Sequence, residues 1–388
     1  MELLFLILLG CVAGVFTGLI PGIHMNTVSI SLVYFFYDKE LIYFIISMSV
    51  VHTFVDFIPS ILFGAPETET FLSILPGHKM LLEGKGLNAI KITVFGGLIG
   101  GILSLLFSFV FISLTEKIKW VIPKLIPGTL IFVLLLMVSE EKNKKTALLV
   151  IFLSGVLGLI VLNDFVFVKE PLFVLVTGFF AFPLIINSIL KEVKIPEQKK
   201  EKFEFSFQEV KGSLLSVLGG SIVSLIPAIG PSISAFVLSK FTKLNSKAFL
   251  ALIGGINTTN IIFSFFVLIS IGKTRSGSAV AIKQLGGITQ NELVLICFAV
   301  IISLIFASII TVFLSEILIK LIQKINYKKM NLIVLIFLVL LVFFFSGING
   351  IIISAISTGI GLIAIKKGIK KSSCMAFLMI PVLLNYLL

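Results

Sequence analysis

Long apolar runs separated by short polar stretches dominate the chain. A membrane-spanning helix needs roughly 20 apolar residues, and most of the runs approach that length. The pattern therefore predicts an all-α polytopic membrane protein with about ten transmembrane helices. The runs cover residues 3–20, 27–36, 41–63, 89–114, 120–138, 146–162, 172–190, 213–226, 232–241, 248–271, 293–318, 330–345, 351–365 and 375–388.

The same order of long and short runs occurs twice, on either side of the polar segment 191–211. Residues 18–23 read Gly-Leu-Ile-Pro-Gly-Ile and recur at 224–229 as Ser-Leu-Ile-Pro-Ala-Ile, while Gly14 recurs as Gly220. Chance similarity between two apolar stretches would not preserve spacing over several segments. We predict a first transmembrane repeat, 1–190, a charged cytoplasmic linker, 191–211, and a second transmembrane repeat, 212–388.

Lysine placement predicts the topology. Basic loops favour the cytoplasmic face, and lysines cluster in 142–145, 191–211, 240–247, 320–329 and 366–371. With these segments cytoplasmic, the run 89–114 points outward and its counterpart 293–318 points inward, so the two repeats are inverted. Each broken first segment then enters and leaves on one side, as a re-entrant hairpin. We expect a multi-pass protein of the cell membrane with both termini outside.

Composition narrows the class further. Apolar residues make up 58% of the chain and charged residues 13%, which excludes an ordinary soluble protein. The net charge of +12 comes from lysines in short loops, so it does not indicate a nucleic-acid partner. The first run lacks the basic flank and cleavage site of a signal peptide, so we interpret it as a retained segment.

Each repeat contains a helix broken by proline, at Pro21-Gly22 and at Pro227-Ala228. Backbone groups freed at membrane depth must face protein or a wet cavity, and paired breaks in inverted repeats point to a transport site near the midplane. Helix N-termini at the breaks would favour an anion. A kink that serves only packing is the alternative. The predicted anion-binding residues are Pro21, Gly22, His24, Asn26 and Thr27, with Pro227, Gly230 and Ser232 in the second repeat.

A polar stretch at 272–278 contributes Lys273, Arg275 and Ser276 to the predicted substrate site. Arg275 is the only arginine of the chain. A guanidinium group matches the planar geometry of a carboxylate or phosphate. The alternative is a loop charge near the lipid head groups.

Ionisable residues inside the apolar run 41–63 indicate an ion-coupling site. His52 and Asp56 are four residues apart, so they share one helix face, and such residues within a span are usually functional. We predict that Asp56 takes a proton or a cation and that His52 modulates it. Glu67 and Glu69 follow this run, and Asn257 and Asn260 occupy the equivalent place in the second repeat. A hydrogen bond that only joins helices is the alternative.

No catalytic pattern is present. The histidines lack metal-ligand spacing, and neither a phosphate-binding P-loop nor a nucleophile elbow occurs. We expect no enzymatic activity, no cofactor and no metal.

Several motifs resemble the large membrane subunit of the tripartite tricarboxylate transporters, the TctA-type permeases. These are the glycine- and proline-containing element from Gly14 to Gly22, the turn from Gly64 to Thr68, the segment Pro76 to Gly86, and the element from Pro227 to Gly230. The resemblance implies carboxylate transport together with a small membrane subunit and an extracytoplasmic binding protein.

Two functions therefore remain open. The leading one is a secondary-active transporter that moves a small carboxylate anion across the membrane, coupled to a proton or sodium gradient. The other is a translocase (flippase) for a polyprenyl-phosphate carrier lipid, because Lys273, Arg275 and Lys283 are placed outside and would suit a lipid phosphate. A structural or assembly protein in the membrane would explain the broken helices poorly. The expected partners are accordingly a small anionic solute or a lipid phosphate, membrane lipid, and a proton or sodium ion.

Overall fold

Every regular element in the part of the chain described by the computed structural model is helical. The described residues are 2–20, 23–63, 74–163, 165–190, 196–199, 206–323 and 327–388. The helices are α1 Glu2–Leu19, α2 Met25–Phe35, α3 Leu41–Val55, α4 Phe57–Phe63, α5 Ile74–Leu82, α6 Gly86–Leu106, α7 Ser108–Ile118, α8 Ile122–Ser139, α9 Lys144–Leu162, α10 Pro171–Val176, α11 Phe182–Leu190, α12 Phe207–Leu225, α13 Pro231–Thr242, α14 Ser246–Ile271, α15 Gly277–Gln284, α16 Leu293–Ile322, α17 Tyr327–Lys366 and α18 Ala376–Leu387.

Nine helical segments within the described residues are long and apolar enough to cross a membrane. They include α1, the combined α3 and α4, α6, α8, α9, α14, α16 and α17. The predicted fold class is confirmed: the chain is an all-α polytopic membrane protein.

Local capping explains why α12 begins inside the segment predicted as the linker. Ser206 and Glu209 form a capping box, in which the Glu209 carboxylate accepts the Ser206 backbone N–H at 2.8 Å. This arrangement satisfies backbone donors that a helix start leaves unpaired, so α12 starts at Phe207, within the segment 191–211. Residues 191–195 and 200–205 of the predicted linker lie outside the described residues.

Helices α1 and α3 pack closely along a row of glycines. A side chain at Gly14 would contact the Met48 carbonyl oxygen at 2.6 Å, and one at Gly18 would contact Val55 at 2.8 Å. Since the contacts advance in the same order along both helices, α1 and α3 are parallel. The chain between them therefore returns through α2 to the end at which α1 began, and α1 and α2 form a helical hairpin.

Helices α12 and α14 repeat this arrangement. Gly212 packs against Ala248, and Gly220 packs against Thr259 and the backbone nitrogen of Asn260. The two helices are again parallel, and α13 provides the return. The second half thus contains the same hairpin and adjoining helix as the first half.

Helix α6 packs in the same direction as α14 and in the opposite direction to α16. Thr93 contacts Gly254 and Gly97 contacts Thr258, so residue numbers rise together along α6 and α14. The Lys91 ammonium and the Glu316 carboxylate are 3.9 Å apart near the start of α6 and the end of α16.

Helices α3 and α16 begin at the same end of the molecule. Lys39, just before α3, forms an ion pair of 2.7 Å with Glu292, just before α16. Because α16 is antiparallel to α6, and α6 is parallel to α14, α3 and α14 run in opposite directions. The two helical hairpins therefore open toward opposite ends of the molecule.

Most of the lysine clusters gather at one end, which we call the lysine-rich end (residues 140–145, 240–247 and 366–371). Lys240 and Lys370 both bind the Glu140 carboxylate, the second at 3.1 Å. The Lys211 ammonium donates to the Thr242 carbonyl oxygen at 3.2 Å, which brings the start of α12 to the same end. This grouping is what the lysine-based topology requires.

Helix α17 is broken at Gly347, whose backbone has φ 60° and ψ −153°. That conformation is accessible essentially to glycine alone. Both arms pack on the segment from α10 to α11: Asn331 donates to Ser188 at 2.9 Å, and Gly361 contacts Phe179. The two separate runs predicted at 330–345 and 351–365 are these two arms.

Candidate functional site

Two short helices from different halves begin side by side in the interior. Helix α2 is capped by His24, whose Nδ1 accepts the Asn26 backbone N–H at 3.2 Å. Helix α15 is capped by Ser276, whose Oγ accepts the Ala279 backbone N–H at 3.1 Å. The Asn26 side-chain oxygen accepts the Ser278 backbone N–H at 3.1 Å, and this bond ties the two helix starts together.

Close approach at this junction depends on Gly277. A side chain there would lie 2.6 Å from the Asn26 Cβ atom. The absence of a side chain lets the first turn of α15 reach the first turn of α2. Two helix N-termini, each with backbone donors and a positive dipole end, therefore lie close together.

Three buried serines from three helices meet beside this junction. The Ser278 hydroxyl of α15 lies 3.1 Å from that of Ser29 on α2 and 2.8 Å from that of Ser49 on α3. All three side chains are fully buried. These hydroxyls connect the hairpin of the first half to the α14–α15 segment of the second half.

Two histidines lie next to one another at the same depth. The His24 and His52 rings have centroids 4.8 Å apart and are inclined by 57°. The His52 ring is fully buried, and its Nδ1 is 3.1 Å from the Thr17 hydroxyl of α1. His52 thereby links α1, the start of α2 and α3.

Asp56 is joined to the second half by a direct hydrogen bond. The Asn257 amide nitrogen donates to Asp56 Oδ2 at 2.9 Å and to the Thr53 carbonyl oxygen at 3.1 Å. The Asp56 side chain is only 1% exposed, and the amide oxygen of Asn257 has no hydrogen-bond partner among the residues that the structure describes. The predicted ion-coupling residues Asp56 and Asn257 are therefore in contact across the two halves.

The polar side chains that α3 contributes to this cluster lie on one face of the helix. Ser49, His52, Thr53 and Asp56 are spaced i, i+3, i+4 and i+7, so they share one face of the helix. They lie near the middle of the candidate span Leu41–Phe63. We name the central site by its residues Asn26, Ser29, Ser49, His52, Asp56, Asn257 and Ser278.

The break in the second half lies among different neighbours. Helix α13 packs on α12 and α14 within the described residues, and the Ser234 hydroxyl donates to the Gly219 carbonyl oxygen at 3.1 Å. Ser232 is buried, whereas Gly230 has open space around it. Pro227 is half-buried at this break.

Ala228 occupies the position that Gly22 has in the first repeat. Its φ of 64° is unusual for a residue with a side chain, and such a conformation costs on the order of 1 kcal/mol or more. Asn260 is 8% exposed and follows Thr259, which contacts Gly220. Since Gly14 faces the backbone nitrogen of His52 in the same way, Asn260 is the packing counterpart of His52.

Arg275 borders the central site through its neighbour Ser276. It is half-buried and forms a hydrogen bond with Tyr386 of α18, while burial lowers the pKa of its guanidinium group. Its Nε atom has no partner among the described residues. Lys273 and Thr27 are exposed, so these two predicted residues lie outside the buried cluster.

Four predicted residues, Pro21, Gly22, Glu67 and Glu69, lie outside the described residues. Within the described ranges, no group of three or more His, Cys, Asp or Glu side chains could hold a metal ion.

Sequence reasoning missed the hydroxyl groups of the site, namely those of Thr17, Ser29, Ser49 and Ser278. A signal for Ser49 was present, because it continues the helical stripe of His52 and Asp56. The proximity of Ser278 to Ser29 depends on how α15 folds back, and no spacing in the sequence encodes it.

The sequence model of the tripartite tricarboxylate transporter TctA family matches residues 4–376. The chain belongs to this family. It is also 34% identical over 400 residues to the uncharacterized protein MJ1079 of Methanocaldococcus jannaschii, with 100% of this chain and 99% of that protein covered. No solved structure matches.

The TctA-family match confirms the resemblance seen in the motifs and extends it over nearly the whole chain. It identifies a membrane component of a transporter family, consistent with the many apolar helices. The central site lies within the matched residues.

Proposed function

We propose that this TctA-family chain is a secondary-active transporter that moves a small carboxylate anion across the membrane, coupled to a proton or sodium gradient. The observation that carries the proposal is the central site. There the start of α2, which follows the break in the first half, meets the start of α15 from the oppositely directed second half in a buried polar cluster. Transport sites of transporters with inverted repeats lie at such interfaces between the repeats.

The helix starts of α2 and α15 supply the chemistry for an anion. The positive dipole ends of these two helices favour a carboxylate, and Arg275 adjoins the start of α15 with a charged planar fork. Asn26, Ser276 and Ser278 add polar groups that would orient the bound anion. His24 caps α2 at the same junction.

Asp56 and His52 are the proposed coupling residues. A buried carboxylate is suited to bind a cation or a proton, because an ionised group is costly to bury without a compensating charge. The hydrogen bond from Asn257 links the proton or cation occupancy of Asp56 to helix α14. Binding of a cation here would therefore influence how the two halves contact one another.

The proposed setting is the cell membrane, with the lysine-rich end cytoplasmic and both termini outside. The family description supports operation with a small membrane subunit and an extracytoplasmic binding protein, which we propose as partners of this chain. The gathering of lysine clusters at one end supports the orientation.

A ligand panel on the purified protein tests the proposal. Thermal unfolding is measured in detergent with citrate, with smaller di- and tricarboxylates and with a short-chain polyprenyl phosphate. We expect at least one carboxylate to raise the unfolding midpoint of the wild type and to lose most of this effect in Arg275→Ala. The matched control is Lys273→Ala, an exposed charge of the same loop, which should respond like the wild type.

Two results would contradict the proposal. One is the absence of any shift with any carboxylate. The other is a shift with the polyprenyl phosphate alone, which would indicate a carrier-lipid translocase.

A further inference from the structure

Lys371 differs from the other lysines at its end of the molecule because it is buried. It is 6% exposed, whereas Lys366 and Lys367 of the same basic run are exposed. It begins the short helical turn Lys371–Met375, which leads into α18 and packs against α8, α9 and α17. The central site does not include this residue.

The Lys371 ammonium nitrogen has no hydrogen-bond partner among the described residues. The Ser373 hydroxyl, in the same turn, also has none. Buried polar groups are normally paired, and an ammonium ion without a partner is far more costly to bury than a neutral amine. Burial without a partner therefore favours the neutral amine of Lys371 over the ammonium ion.

The acids at the lysine-rich end are engaged by other lysines. Glu140 binds Lys240 and Lys370, and the Glu141 carboxylate accepts the Lys370 backbone N–H at 2.8 Å. Lys371, the next residue, is left without a carboxylate. The local charge thus provides no partner for a buried ammonium ion at Lys371.

The other titratable groups on the surrounding elements do not supply a negative charge either. Helix α5 contributes His78, α9 begins with Lys144 and Lys145, α17 ends with Lys366, and α18 carries Tyr386. The turn itself contains Cys374, whose thiol is buried beside Ser154, and burial raises its pKa to about 12, so it stays protonated at neutral pH.

We propose that Lys371 is a proton-binding site of the transport cycle. Its amine is neutral in the conformation described here, and its lone pair takes a proton from water when a second conformation opens this turn toward the lysine-rich end. When the turn closes again, the ammonium group returns the proton to water and the amine is neutral once more. This inference rests on the proposed transport function and names the proton as a coupling ion.

Burial is consistent with this assignment, because it lowers the pKa of Lys371 to about 7, near the pH of a cell interior. This lowered pKa makes the stability of the folded protein depend on pH. Between about pH 7 and 10.5 the unfolded chain holds the proton and the folded protein does not, so stability rises with pH in that window. Below about pH 7 both states are protonated and the term is constant.

The first test compares unfolding midpoints from pH 6 to pH 10 for the wild type, Lys371→Met and Lys367→Met. Methionine keeps the length of the side chain but cannot titrate, and Lys367 is an exposed lysine of the same run. We expect the wild-type midpoint to rise relative to Lys371→Met between pH 7 and pH 10. The Lys367→Met curve should follow the wild type. Parallel curves for the wild type and Lys371→Met would overturn the proposal.

The second test measures citrate uptake into proteoliposomes with and without a pH gradient. Lys371→Met should lose the stimulation by the gradient, and Lys367→Met should retain it. Retained stimulation in Lys371→Met would overturn the coupling role. If the wild type takes up no citrate or other carboxylate, the proposed function fails, while the pH dependence of unfolding still decides whether Lys371 binds a proton.

Discussion

At the residue scale, Asp56 is the central-site group to which we assign ion coupling. It is buried, sits where α3 passes into α4, and accepts a hydrogen bond from Asn257 of the other half. A carboxylate in that position can change its charge only by binding a proton or a cation. Its hydrogen bond transmits the change to α14.

Replacing Asp56 with Asn removes the charge of the side chain and keeps its size. The amide oxygen of Asn can still accept the bond from Asn257, and the cost of a buried charge disappears. We expect Asp56→Asn to unfold at the same or a higher temperature than the wild type. Citrate binding by the variant should depend less on pH or sodium than citrate binding by the wild type does. Both properties are read from unfolding midpoints measured with and without citrate.

The matched control is Asp38→Asn, which alters an exposed carboxylate outside the central site. This variant should keep the wild-type cation dependence. Unchanged cation dependence in Asp56→Asn would assign coupling to another group.

Residue spacing predicted part of the central site. The interval between His52 and Asp56 was enough to place both on one helix face. Asn26 was identified at a predicted helix start, and Ser276 from the polar stretch 272–278. The partner of Asp56 could not be predicted, because the choice of Asn257 depends on how α14 crosses α3. Serines such as Ser29 and Ser49 also bond their own helix carbonyls, so their presence in apolar helices is not a site signal by itself.

At the element scale, small residues determine how the hairpins are held. The α1–α3 contact has the glycines at positions 10, 14 and 18, and α12–α14 has Gly212, Gly219 and Gly220. Helices in lipid associate through such close backbone contacts, because apolar side chains alone gain little there. The hairpins are therefore fixed to α3 and α14 by packing.

A pair of glycine substitutions tests this packing. In Gly14→Ala the new Cβ would lie 2.6 Å from the Met48 carbonyl oxygen, so α1 must shift away from α3. We expect a loss of about 1–3 kcal/mol. Gly128→Ala on α8 meets nothing within 4 Å and should gain roughly 0.5–1 kcal/mol from helix propensity.

The measurement is the unfolding midpoint of both variants and the wild type in one detergent. Equal midpoints for the two variants would show that the α1–α3 contact does not depend on its glycines.

Element boundaries were predictable where the sequence carries a local signal. The break between the runs 330–345 and 351–365 coincides with Gly347. The apolar run 89–114 has no such signal, yet the chain bends at Phe107 between α6 and α7, and Phe111 then packs on Phe263 with ring centroids 4.2 Å apart. That bend depends on tertiary packing, which the run itself does not encode.

At the scale of the whole molecule, the corresponding helices of the two halves run in opposite directions. Parallel pairs α1–α3 and α12–α14 recur with reversed sense, and the lysine clusters gather at one end. The division at residues 191–211 and the orientation in the membrane remain predictions. The division follows from the repeated order of apolar runs on either side of this charged segment, and the orientation follows from the lysine pattern.

Cysteine labelling in intact cells tests the orientation. In a background whose three native cysteines are replaced by serine, single variants Asp38→Cys and Lys367→Cys are treated with a membrane-impermeant maleimide. We expect Asp38→Cys to be labelled directly, because it lies at the end opposite to the lysine-rich end. Lys367→Cys should be labelled only after permeabilisation. The reverse pattern would invert the proposed topology.

The central claim is that one chain binds a carboxylate and a coupling cation in an energetically linked way. The most direct test is the equilibrium affinity of the purified protein for the carboxylate that stabilises it, measured by calorimetry across pH 5–8 with and without sodium. Linkage of about 1–3 kcal/mol predicts a change of roughly 5- to 150-fold in affinity with one of the two cations. An affinity that neither pH nor sodium alters would contradict the account.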